Sequence, residues 1–119
     1  MKISMRDRIK SGMLYTDMCE GLPEERLRGK ELMHDFNNTR PSDDKKRIEL
    51  IYQMFGKVGK KPWIEPPIHF AYGSNIFIGD SFYANFNFTI VDDHTVTIGD
   101  NVLIAPNVTI SVTGHPVHH

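Results

Sequence analysis

A chain of 119 residues, 24% charged and 39% hydrophobic, has the make-up of a soluble globular unit and not of a disordered or fibrous one. A formal net charge of -1 gives no electrostatic case for nucleic acid or an anionic membrane, and no run approaches the ~20 apolar residues of a bilayer span. The start, Met1 to Asp7, lacks the apolar core of a signal peptide, and Cys19 is the only cysteine, so the expected compartment is a reducing cytoplasm.

The charge is unevenly distributed. All 14 Lys and Arg fall between Lys2 and Lys61, while five of the six histidines lie beyond Pro62. Composition therefore divides the chain into a helical N-terminal module, 1–61, and a cation-free second part, 62–119.

The first part reads as helical. Pro23 suits a first helical turn, and Glu24 and Glu25 favour the positive end of its dipole. Leu27, Leu32, Met33 and Phe36 form an imperfect apolar face, which Asn37-Asn38 and Arg40-Pro41 bring to an end. Ser42 is the expected N-cap of a second helix, followed by Asp43 and Asp44. Ile48, Ile51, Phe55 and Val58 give that helix its stripe, with Gly56 or Gly59 as terminator. Such stripes are core.

A different grammar follows Glu65-Pro66-Pro67. Tyr72, Ile78, Ala84 and Ile90 stand six apart, and after two extra residues Ile98, Ile104 and Ile110 resume the spacing. Gly73, Gly79, Gly99 and Ala105 come next in their hexads, and Asp or Asn often precedes the second apolar residue, as in Asn101-Val102 and Asn107-Val108. Neither a helix nor simple alternation produces this period. Hexads of this kind build a parallel β-helix, three short sides making a coil of about 18 residues with the small and polar residues at its corners.

Several residues have the chemistry for a site. His115 precedes Pro116, which restricts its backbone, and a histidine takes a proton from a hydroxyl near neutral pH. A solvated loop histidine is the competing reading. Asn85 has an amide able to donate to a developing oxyanion, or is simply a corner residue. Asp92-Asp93-His94 occupies the two-residue insertion, as a functional loop whose acidic pair accepts from sugar-like hydroxyls or as a solvated turn. His94, His115 and His118 are the ligands that a metal-dependent hydratase would use, but without Cys or further carboxylates no metal is expected.

The run from Thr16 to Pro23, then Arg26-Leu27-Arg28-Gly29-Lys30, resembles the N-terminal module of the maltose and galactoside O-acetyltransferases, a family of hexapeptide-repeat acyltransferases. Tyr83-Ala84-Asn85-Phe86-Asn87, Ile90-Val91-Asp92-Asp93 and the stretch from Ile104 to His119 are similar to the same family, the last to its galactoside branch. The resemblance implies a mainly β fold, a left-handed parallel β-helix behind a small helical module. It implies a homotrimer and acetyl transfer from acetyl-CoA, a co-substrate rather than a bound cofactor, to a sugar hydroxyl. By that likeness His115 is the catalytic base, Asn85 stabilises the transition state, and Asp17, Asn85 and Asp93 bind the acceptor.

Two departures are visible. The galactoside branch usually places an acceptor-contacting serine where this chain has Ala71, a lost hydrogen bond of roughly 0.5–1.5 kcal/mol that leaves the choice of sugar open. Full members continue for several coils past the catalytic histidine, where most acetyl-CoA contacts lie. The resemblance thus implies a truncated chain, either active once the remainder is supplied or an inactive remnant.

Overall fold

The computed structural model describes residues 21–112. Helix α1, Leu22–Asn37, starts behind Gly21 in a left-handed conformation, with Pro23, Glu24 and Glu25 in its first turn, and its C-cap is Asn38. Helix α2, Asp44–Met54, is capped by Asp43 and not by Ser42. The Asp43 carboxylate accepts the Lys46 N–H at 3.2 Å, the third amide of the helix, and its charge also favours the dipole. Leu27, expected on the inner face of α1, is 61% exposed. The apolar stripe of the second helix runs past its end, because Phe55 is already extended and Val58 belongs to a strand.

Among the described residues nine short strands follow: β1 Lys57–Val58, β2 Trp63–Ile64, β3 Ile68–Phe70, β4 Ile76–Ile78, β5 Tyr83–Ala84, β6 Phe88–Asp92, β7 Val96–Ile98, β8 Leu103–Ile104 and β9 Thr109–Val112. They form three parallel sheets, β1-β4-β7, β2-β5-β8 and β3-β6-β9. Each strand from β1 to β6 pairs with the third one after it, so the chain winds as a three-sided parallel coil. The repeat is 20 residues, with Lys57 facing Phe77, Trp63 facing Tyr83 and Ile68 facing Phe88.

This corrects the expected 18-residue coil and its starting point. Val58, Ile78 and Ile98 stack on one side, Ile64, Ala84 and Ile104 on the next, and Phe70, Ile90 and Ile110 on the third. Tyr72 is not a hexad start; it stands two residues beyond Phe70. The two-residue insertion recurs, since an eight-residue step separates Phe70 from Ile78 as it separates Ile90 from Ile98. The compositional division at Lys61-Pro62 falls between β1 and β2. Helices and coil share one core, in which Phe36, Ile51 and Met54 pack with Ile64, Ile68, Ile76, Phe88 and Ile90.

The corners follow the expected chemistry. Asn87, Asn101 and Asn107 take φ of 59°, 60° and 62°, with Ser81 and Lys61 at 56° and 55°. Asn tolerates this left-handed conformation better than other side-chain-bearing residues do. At the corner after the first sheet, Asp80 Oδ1 accepts the Lys60 N–H and Asp100 Oδ1 accepts the Asp80 N–H, each at 2.7 Å.

Helix α1 closes the outer edge of β3 with side chains in place of a strand. Asn37 Oδ1 accepts the Ile68 N–H and its Nδ2 donates to the Ile68 carbonyl, both at 2.9 Å. Met33 Sδ accepts the Phe70 N–H at 3.4 Å, and Lys30 Nζ donates to the Phe70 carbonyl at 2.6 Å. Residues 30, 33 and 37 lie on one helical face, so a single helix answers two successive inward residues of the strand. Gly29 completes the contact, because a Cβ there would strike the Tyr72 carbonyl.

Candidate functional site

The third side of the coil carries the residues singled out from the sequence. Asn85 lies at the corner between β5 and β6, half-buried, and Asp93 directly follows β6. The Asn85 N–H donates to the Ile104 carbonyl at 3.0 Å, and its Oδ1 accepts the Phe86 N–H at 3.0 Å. Among the described residues nothing accepts from Asn85 Nδ2, which leaves that amide available as a donor. The Asp93 N–H donates to the Val112 carbonyl at 3.1 Å, while no described residue binds its carboxylate. Asp17, His115 and His118 lie outside the described residues. His94 shares the Asp93 corner, and among the described residues no group of three His, Cys, Asp or Glu is placed to hold a metal ion.

Asn85 and Asp93 sit beyond opposite ends of β6. Five strand residues separate the two corners, about 17 Å at ~3.3 Å per residue. Within one chain a single sugar does not bridge that distance.

The acidic pair divides. Strand alternation turns Phe88, Ile90 and Asp92 inward, and the Asp92 side chain is fully buried. Its Oδ1 accepts the N–H groups of Ala71 at 2.8 Å and Tyr72 at 3.0 Å, and its Oδ2 accepts that of Gly73 at 2.8 Å. Asn75 Nδ2 donates to the Asp92 carbonyl at 2.7 Å. Asp92 thus has no oxygen to offer a sugar, contrary to the expectation that both members of the pair bind one. Burial pushes its carboxyl above the ordinary range, while the N–H groups of Tyr72, Ala71 and Gly73 draw it back.

A shallow open groove of about 210 Å³ runs beside this corner, lined by Lys30, His69, Ala71, Thr89 and Val91 among others. Ala71 therefore faces open space, though neither Asn85 nor Asp93 lines the groove. Sequence reasoning missed Asp92, Lys30 and Asn37 as structural ties. Only Asp92 carried a readable signal, the two-residue alternation of β6.

The fold and its corner residues define a class: a helix-capped, hexapeptide-type parallel coil in which, among the described residues, the Asn85 amide donor and the Asp93 carboxylate have no partner. Residues 8–59 match the maltose acetyltransferase hexapeptide capping motif. Over all 119 residues the chain is 68% identical to a galactoside O-acetyltransferase of Escherichia coli K12, covering 59% of that protein. It is 34% identical to a galactoside O-acetyltransferase of Lactococcus lactis, covering 98% of this chain and 56% of that protein. A solved galactoside acetyltransferase in complex with coenzyme A superimposes with a TM-score of 0.89, at 68% identity over 99% of this chain and 59% of that one. A maltose O-acetyltransferase from Clostridium difficile 630 gives a TM-score of 0.88 at 38% identity, over 98% and 62%. Along its whole length the chain is thus similar to maltose and galactoside O-acetyltransferases. It spans about six-tenths of the length of two curated relatives that it matches.

Proposed function

We propose that this chain takes part in acetyl transfer from acetyl-CoA to a hydroxyl of a galactoside or related sugar in the cytoplasm. The observation that carries the reading is the 68% identity along the whole chain to a galactoside O-acetyltransferase. The local chemistry agrees, because among the described residues nothing accepts from Asn85 Nδ2 or binds the Asp93 carboxylate at their half-buried corners, while neighbouring polar groups are committed to the backbone.

In this mechanism His115 takes the proton of the acceptor hydroxyl as its oxygen attacks the thioester carbonyl. The tetrahedral oxyanion receives a hydrogen bond from Asn85 Nδ2. Collapse expels the thiolate of coenzyme A, which takes the proton held by His115, and the acetyl group stays on the sugar oxygen. Asp93 and Asp17 accept hydrogen bonds from other sugar hydroxyls. Beyond Lys61 the sequence offers coenzyme A phosphates no Lys or Arg, the cationic partners that such phosphates favour.

The left-handed sense of the coil and a trimeric assembly belong to the same proposal. The separation of Asn85 from Asp93 along β6 favours a site shared between two copies. An outward column of Trp63, Tyr83 and Leu103, with Leu103 76% exposed, supplies an apolar face for such packing.

The test is thiol release from acetyl-CoA, with and without methyl β-galactoside, for the wild type and His115→Ala. The wild type should show acceptor-dependent release and the variant should lose about 10²–10⁴-fold of it. Equal release by both proteins removes His115 from the mechanism.

A further inference from the structure

We propose that Asp92 is a positioning residue for the acceptor: its carboxylate ties the 71–73 turn to the Asp93 corner and sets the separation at which Ala71 and Asp93 meet a sugar. The proposal rests on the acetyltransferase reading.

The coil does not need a carboxylate at this place. Asp92 pairs in register with Val112 of the next coil, so an apolar residue serves there. The other corner carboxylates, Asp80 and Asp100, lie exposed at the surface, and each accepts from one backbone amide. Asp92 is fully buried and accepts from three. Burying a carboxylate is costly unless its oxygens are satisfied, and here the turn is shaped around it. Gly73, at φ of 82°, aims its N–H at Oδ2, and a Cβ at that position would strike the Met54 carbonyl.

The residue is held along its whole length. Asn75 Nδ2 fixes its carbonyl, and the next amide, that of Asp93, reaches the Val112 carbonyl. A continuous path therefore runs from Ala71 beside the groove, through the buried carboxylate, to Asp93 and the end of β9. Ala71 lines the groove, and Asp93 is the acceptor contact of the proposed function. The middle is hidden from the acceptor.

Asp92→Asn keeps the shape and one acceptor oxygen but sets an NH₂ group against the Gly73 N–H. In wild type and variant, KM is measured separately for methyl β-galactoside and for acetyl-CoA. The variant should raise the galactoside KM about tenfold and leave the acetyl-CoA KM within about twofold. Loss of folded protein alone lowers the rate and leaves both KM values in place, so an unchanged galactoside KM overturns the proposal. If the wild type releases no thiol with any galactoside, the acetyltransferase reading has failed, and the tie is read from amide hydrogen exchange instead. Faster exchange at Asp93 as well as at 71–73 in the variant upholds the tie, and unchanged exchange at Asp93 refutes it. If Asp92→Asn does not fold, Asn75→Ala loosens the same backbone more gently, and it must move the Asp93 amide resonance; an unmoved resonance refutes the tie.

Discussion

Replacing Asn37 with alanine removes both hydrogen bonds by which α1 closes the edge of β3. Asn37 Oδ1 and Nδ2 meet the Ile68 N–H and carbonyl at 2.9 Å each, and Ile68 is fully buried. Two net bonds of about 0.5–1.5 kcal/mol each, plus partial exposure of the orphaned groups to the penalty for unsatisfied polar atoms, give a loss of about 2–3 kcal/mol. Asn37→Asp sharpens the test. It keeps an acceptor for the Ile68 N–H but puts a negative oxygen against the Ile68 carbonyl, so at neutral pH it should destabilise at least as much as alanine. In acid the protonated side chain donates to that carbonyl and recovers part of the loss. Asn38, whose Nδ2 donates to the exposed His34 carbonyl, serves as control with an expected cost below about 1 kcal/mol. Urea unfolding at fixed protein concentration measures all three variants. Asn37→Ala within about 0.5 kcal/mol of wild type, or Asn37→Asp more stable than Asn37→Ala at neutral pH, would refute the side-chain strand as the source of stability.

Three further predictions come from the packing and the buried charge. Gly29→Ala drives a methyl group into the Tyr72 carbonyl, and urea unfolding should register a loss of about 1–3 kcal/mol or more. Lys61 is exposed and sits at φ of 55°, so Lys61→Gly should gain about 0.5–1 kcal/mol, the relieved strain outweighing the added chain entropy, and should raise the urea midpoint. Asp92 binds its proton more tightly in the folded chain than in the unfolded one. That contribution to stability is present below the ordinary carboxylate value of 3.8 and is lost as pH rises through the raised value. The stability gap between wild type and Asp92→Asn should therefore be wider in acid than at neutral pH, and a gap that narrows in acid contradicts the assignment.

The coil was legible because its signals are local. Six-residue spacing and Asn at the turns reflect strand length and corner conformation, which depend on few neighbours. The 20-residue repeat was hidden by Tyr72, a buried aromatic that stands six before Ile78 and so imitates a hexad start, whereas Phe70 holds the true position. Asp92 and Asp93 read alike in the sequence and diverge in the fold, since alternation along β6 turns one inward and leaves the other at the corner. The contacts of Asn37 and Lys30 had no sequence signal at all. They arise only when α1 docks on β3, across 31 and 40 residues of chain. For the site, residue types and corners were readable, but the separation of Asn85 from Asp93 required the geometry of β6.

Mass spectrometry of methyl β-galactoside after incubation with acetyl-CoA and the protein tests the central claim most directly. The account predicts a mono-acetylated sugar formed in step with released coenzyme A. Unmodified sugar alongside free acetate, or no consumption of acetyl-CoA, would contradict it.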